Sequence, residues 1–125
     1  MAQSERALKI AVACGGTGGH IFPALATARE LDARGHSITL WLAGKDIEAR
    51  AVENTPWEHI TIASRGWEGG WRGLLQFGLH FWRATRKSRR IMRRGPPDVV
   101  LAMGSYAGMG PVRAALQLGI PVVLH

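Results

Sequence analysis

The residues best equipped to act on a substrate stand together in Cys14-Gly15-Gly16-Thr17-Gly18-Gly19-His20, directly after the apolar run Leu8–Ala13. Four glycines in five positions make a turn whose backbone amides can approach a ligand closely, and phosphate is the group such amides suit. The following Ala24–Leu31 has helical composition, so the loop feeds a helix N-terminus whose free amides and dipole favour an anion. His20 lies at the lip of this site. An imidazole titrates near neutrality and can take a proton from an attacking hydroxyl. The plainer alternative is a tight strand-to-helix turn with His20 as a capping side chain.

Spacing excludes two other glycine loops. Counting from Gly16, the last glycine of a dinucleotide G-x-G-x-x-G falls on Ile21, and no acid follows the second apolar run Ile38–Leu42 to hold a ribose. A Walker loop needs Gly-Lys-Ser/Thr, which the chain lacks. The single Cys14, at the end of a buried strand, reads as a small core residue rather than a nucleophile. No His, Cys, Asp and Glu cluster has metal-ligand spacing, and His36, His59 and His80 read as surface or packing residues.

These loops need a frame to hold them. Periodicity predicts strands at 8–14, 37–42, 58–63, 98–102 and 120–124, alternating with helices at 22–34, 46–53, 71–93 and 108–118. Such alternation is the pattern of an α/β, Rossmann-like parallel sheet with helices on both faces. Ligands bind such sheets beyond the carboxyl ends of the strands. A second glycine loop, Gly104–Gly110, also follows a strand, so both loops should open on one cleft, with Gly66–Gly70 as a flexible loop beside it.

Charge is distributed very unevenly. Of 16 basic residues, seven fall between Arg83 and Arg94 with no acid among them, leaving nine bases against nine acids elsewhere. The whole excess of +7 lies in this segment. On a helix at about 100° per residue, Phe77, Phe81, Ala84, Ser88 and Ile91 share the side expected to dock on the sheet. Trp71, Leu75, Leu79 and Trp82 gather on another. That second face has three readings: a wide core contact, a nucleic-acid surface without any recognised motif, or a membrane surface. In the last, tryptophans settle at the interface and Arg83, Arg86 and Arg90 meet anionic headgroups. Only the membrane reading uses aromatics, leucines and bases together. The polar N-terminus Met1–Arg6 has no hydrophobic signal core and no stretch reaches membrane-spanning length, which points to a cytosolic, peripheral protein.

GGTGGHIFPALATARELDARGH closely resembles the first loop and helix of the MurG family, inverting glycosyltransferases that move N-acetylglucosamine from UDP onto a lipid-linked muramyl precursor of peptidoglycan. Pro97–Tyr106, Gly108–Pro111 and Leu118–His125 are similar to that family's second glycine loop and the strand after it. The resemblance implies the N-terminal half of a GT-B type fold. It assigns Thr17, Gly18 and Gly19 to the donor side, Gly104, Ser105 and Tyr106 to the acceptor diphosphate, and His20 to general-base catalysis, with no metal or other cofactor. It also implies a hydrophobic patch ringed by bases near the acceptor site.

Two departures stand out. Ser105 replaces a glycine usual in the second loop, and the family continues beyond the position of His125 into a second domain that holds most of the UDP-sugar. Residues 1–125 are therefore expected to be an acceptor-binding, membrane-associating half, from a truncated product or a split enzyme, inactive without its donor-binding domain. The implied partners are UDP-N-acetylglucosamine, undecaprenyl-linked muramyl-pentapeptide and the anionic cytoplasmic face of the plasma membrane, with no nucleic acid. The alternative is a non-catalytic module that tethers a partner or binds a lipid diphosphate.

Overall fold

The computed structural model describes residues 6–15, 18–63, 69–104 and 108–125, and at Gly18, Gly19 and His20 the backbone path alone. Its elements are β1 (Lys9–Ala13), α1 (Gly18–Ala33), β2 (Ser37–Leu42), α2 (Asp46–Val52), β3 (Glu58–Thr61), α3 (Gly70–Arg94), β4 (Val99–Ala102), α4 (Met109–Gln117) and β5 (Val122–Leu124). All strand pairs are parallel, in the order β3-β2-β1-β4-β5.

β1 lies at the centre because it can be buried on both faces. Ile10, Val12 and Cys14 join Ile21, Leu25 and Ala28 of α1 and Val52 of α2 in one core. Ala11 and Ala13 point the other way, into a second core with Trp41, Val100, Ala84 and Met92 of α3, and Ala114 and Ala115 of α4. Only small or β-branched residues suit such a strand. Helices α1 and α2 thus cover one face, and α3 and α4 the other.

Two expectations need correction. Helix α1 starts at Gly18 rather than near Phe22, with Pro23 inside it. Proline is commonest in the first turn, so Phe22-Pro23 suggests a start there, whereas the glycines are already helical. His20 is therefore a first-turn residue of α1. The second correction concerns α3. Phe77 and Phe81 stack on each other with ring centroids 6.3 Å apart and are only half-buried, while Ala84, Thr85, Ser88 and Met92 make the buried contact. At 25 residues, about 36 Å at 1.5 Å per residue, α3 is much longer than the strands, and its inward face is fully buried only along the second half. It stops where Gly95-Pro96-Pro97 cannot continue a helix.

This division separates two substitutions on the same helix. Met92→Ala, in a fully buried side chain, should cost about 2–5 kcal/mol, whereas Leu79→Ser should change stability by no more than about 0.5 kcal/mol. Chemical denaturation of the two variants measures the contrast.

Candidate functional site

The strand order reverses direction between β1 and β4: the chain leaves β1 towards β2 and β3, then returns to β4 on the other side of β1. A crevice opens at such a point beyond the carboxyl ends of the strands. Both glycine loops leave the sheet here, the first from β1 into α1 and the second from β4 into α4. Met103 N–H donates to the Ala13 carbonyl at 3.1 Å, so the two strands stay paired up to their exits. Gly104 leaves β4 with φ 84°, a left-handed conformation that glycine adopts freely. Gly108 lies over the end of β1, where a Cβ would be 3.4 Å from that of Ala13. The amino ends of α1 and α4 thus open at adjoining positions of one edge, and their free N–H groups suit anionic groups.

Of the residues singled out by sequence, Gly18, Gly19 and His20 form the first turn of α1, and Gly104 stands at the exit of β4. Thr17, Ser105, Tyr106 and most of the Gly66–Gly70 loop lie outside the described residues.

One residue of this edge escaped sequence reasoning. Glu48 is buried, and its Oε1 accepts hydrogen bonds from the backbone N–H groups of Ala43 at 2.7 Å and Gly44 at 3.0 Å. This fixes the turn after β2, which presses against the first loop: a Cβ at Gly15 would be 2.6 Å from the Ala43 nitrogen. Only glycine permits that approach. The readable signal was an acid in the first turn of a helix following a strand, Asp46-Ile47-Glu48. Cys14 lies next to this lock and is fully buried, its Sγ 3.8 Å from the Trp41 carbonyl. Burial, reinforced by the Glu48 charge, pushes its thiol from an ordinary 9.0 up to about 12. It is a protonated core group, not a nucleophile.

The outer face of α3 is exposed. Trp71, Leu75, Leu79 and Trp82 are 69, 64, 46 and 56% accessible. The same face continues through Arg86 and Arg90 at helical spacing. Arg72 and Arg86 lie over the rings of Trp71 and Trp82, with Cζ 5.5 and 5.4 Å from the ring centroids. Among the described residues, no base of α3 is ion-paired with a carboxylate. No helix among them is long and apolar enough to cross a membrane, and none of their His, Cys, Asp and Glu side chains form a group of three or more that could hold a metal ion.

Residues 10–125 match the glycosyltransferase family 28 N-terminal domain, and the chain belongs to that family. Among its relatives, the UDP-N-acetylglucosamine–N-acetylmuramyl-(pentapeptide) pyrophosphoryl-undecaprenol N-acetylglucosamine transferase of Proteus mirabilis is 44% identical over 125 residues, covering 98% of this chain and 34% of that protein. The enzyme of the same name from Salmonella typhi is 44% identical over 119 residues, covering 94% and 33%. The chain therefore spans about a third of the length of these relatives. Acinetobacter baumannii MurG superposes with a TM-score of 0.80 at 29% identity, over 93% of this chain and 34% of that one. The glycotransferase of kitacinnamycin gives 0.74 at 26% identity, over 96% and 30%. The fold is that of the Rossmann-like N-terminal domain of GT-B glycosyltransferases.

Glu48→Ala would leave two backbone donors without their acceptor and should cost about 1–3 kcal/mol, most of it recovered by Glu48→Gln, whose amide oxygen still accepts; thermal melts of the two variants test this. Cys14 should resist alkylation at pH 8 in the folded protein and react once unfolded. Because its folded pKa is the higher, the unfolded chain binds fewer protons above pH 9, so the thiol's contribution to stability is complete below 9 and lost as pH rises towards 12. Denaturation across that range should show the decline.

Proposed function

We propose that these residues are the acceptor-binding, membrane-docking half of an inverting transferase that moves N-acetylglucosamine from UDP-N-acetylglucosamine to undecaprenyl-linked muramyl-pentapeptide, the conversion of lipid I to lipid II in peptidoglycan synthesis. The observation that carries this reading is the outer face of α3, where exposed tryptophans and leucines run into arginines that pair with no carboxylate among the described residues. Trp71, Leu75, Leu79 and Trp82 enter the interface of the cytoplasmic leaflet, and Arg83, Arg86 and Arg90 meet anionic headgroups, each base contributing about 1 kcal/mol. The protein is peripheral on this reading. Core packing does not account for a face this exposed, and nucleic acid leaves the leucines without a role.

At the crevice, Gly104, Ser105 and Tyr106 hold the acceptor diphosphate through backbone amides and hydroxyls. Thr17, Gly18 and Gly19 line the donor side. His20 takes the proton of the acceptor hydroxyl as it attacks the anomeric carbon, and UDP departs with the bonding electron pair. Most of the UDP-sugar is bound on this reading outside these residues, by a donor-binding domain.

Flotation tests the membrane half of this reading. The chain should bind vesicles of phosphatidylglycerol and phosphatidylcholine, release them as salt screens the headgroups, and bind neutral vesicles far less. Leu79→Ser with Trp82→Ser should abolish flotation without lowering the melt; a loss of stability with no vesicle binding to lose would restore the core reading. For the chemistry, His20→Ala in a complex completed by a donor-binding domain should lower kcat by about a hundredfold or more. Near-normal turnover would reduce His20 to a helix-capping role. Tight UDP-N-acetylglucosamine binding by the isolated chain, seen by calorimetry, would contradict the division of labour.

A further inference from the structure

Helices α3 and α4 pack on each other, and the face of the sheet beneath them is left partly open over β2 and β3. Thr39 and Ile60 on that face are half-buried, and Ser37 and Glu58 are exposed. A cavity of about 470 Å³ lies there, bordered on one side by the last turn of α3 and Gly95. Lys9, Ser37 and Glu58, the first residues of β1, β2 and β3, line its outer end, so it stands at the amino edge of the sheet. The crevice is at the other edge, one strand length away, about 17 Å at 3.3 Å per residue of β1. The size is that of small-molecule sites, about 300–1,000 Å³.

The charges around this cavity are sorted by sign. Lys9 alternates onto the same face as Ala11 and Ala13, and Arg94 reaches the cavity from the end of α3. Both belong to the β1 end, where Asp98 N–H donates to the Lys9 carbonyl at 2.8 Å and Asp98 Oδ2 accepts from Lys9 N–H at 2.8 Å. The other Asp98 oxygen faces Arg6 at 3.8 Å. Glu58 stands at the far end, beyond β2. Lys9 is opposite Ser37 and Glu58 opposite Thr39, which puts the Lys9 and Glu58 Cα atoms about 12 Å apart at ordinary strand spacing and rise. Among the described residues, none of Lys9, Glu58 and Arg94 forms an ion pair. Ser37 and Thr39 line the middle, and Ala11, Trp41 and Ile60 supply an apolar floor.

We propose that this cavity binds a purine nucleoside monophosphate whose base presents N–H donors, guanosine monophosphate being the simplest. Two cations suit the dianion of a phosphate monoester. A carboxylate only accepts, and the guanine edge offers it a ring N–H and an amino group side by side, whereas uracil flanks its one N–H with carbonyls. The base lies on the floor of Trp41 and Ile60, and the ribose hydroxyls exchange hydrogen bonds with Ser37 and Thr39. Two cations against one carboxylate leave a net positive site, which a zwitterion such as a short peptide does not neutralise and a phosphate monoester does. None of these residues belongs to the glycine loops or to the exposed tryptophans and leucines of α3, so the site stands or falls apart from the transferase reading.

Calorimetry on the full chain tests this with guanosine monophosphate, uridine monophosphate, inorganic phosphate and trialanine as probes. Guanosine monophosphate should bind about tenfold more tightly than each of the others. Glu58→Ala, at an exposed position, should bring it down to the level of uridine monophosphate. Lys9→Gln and Arg94→Gln should each weaken it about tenfold, whereas Arg93→Gln, which removes the same charge from α3 outside the cavity, should change it by less than about twofold. If Lys9→Gln lowers the melt, the comparison of Arg94→Gln with Arg93→Gln decides the phosphate end. Equal binding of the three anions would mean attraction to the arginines of α3 alone and overturns the proposal. So do a preference for trialanine, an absence of heat from guanosine monophosphate, a guanine preference that survives Glu58→Ala, or a loss on Arg93→Gln equal to that on Arg94→Gln.

Discussion

β1 must satisfy two strand ladders and two cores at once, and the carboxyl edge of the molecule is built on that requirement. Its residues pair with β2 on one side and β4 on the other, while alternate side chains go into opposite cores. Beyond the exposed Lys9 at its start, β1 has no solvent-facing side on which a polar residue could be accommodated. The same centrality brings the loop after β1 between the turn after β2, locked by Glu48, and the exit of β4. A rigid central strand allows glycine-rich loops to be positioned without large side chains of their own.

Helix α3 is divided along its length as well as around its circumference. Its second half buries Ala84, Thr85, Ser88 and Met92, and its first half buries little. The outward face changes from apolar to basic along the same axis. Arginines at i, i+4 with no acid among them repel one another and weaken an isolated helix; packing of the inner face against the sheet and α4 offsets that cost. The protein thus holds a surface that would be unfavourable in a free helix.

Much of this was legible in the sequence because its signals are local. Alternating apolar runs and helical periods located the nine elements of the described residues within a few positions, and the glycine loops are contiguous. What stayed hidden depends on contacts between distant segments or on backbone partners. Lys9, Glu58 and Arg94 line one cavity from three separate elements, and nothing in any of their neighbourhoods marks the grouping. Glu48 looks like an ordinary first-turn acid until its carboxylate is seen on the N–H groups of the preceding turn. Phe77 and Phe81 satisfy the helical period of a core face, but periodicity does not tell where the sheet beneath a helix ends. The start of α1 was hidden because glycine is a poor helix former, so Gly18 and Gly19 read as loop although they are helical.

The pairing of β1 with β4 also bears on synthesis. Ile10 lies opposite Val99, so one edge of the central strand has no partner until the chain has grown by 89 residues, the separation of those two positions. At about 5–20 residues per second that interval is roughly 4–18 seconds. Through it the nascent chain exposes an apolar strand edge, and just before β4 emerges it presents a run of positive charge. A folding helper that shields open strand edges, or an anionic surface near the ribosome, would meet this protein at its most vulnerable stage.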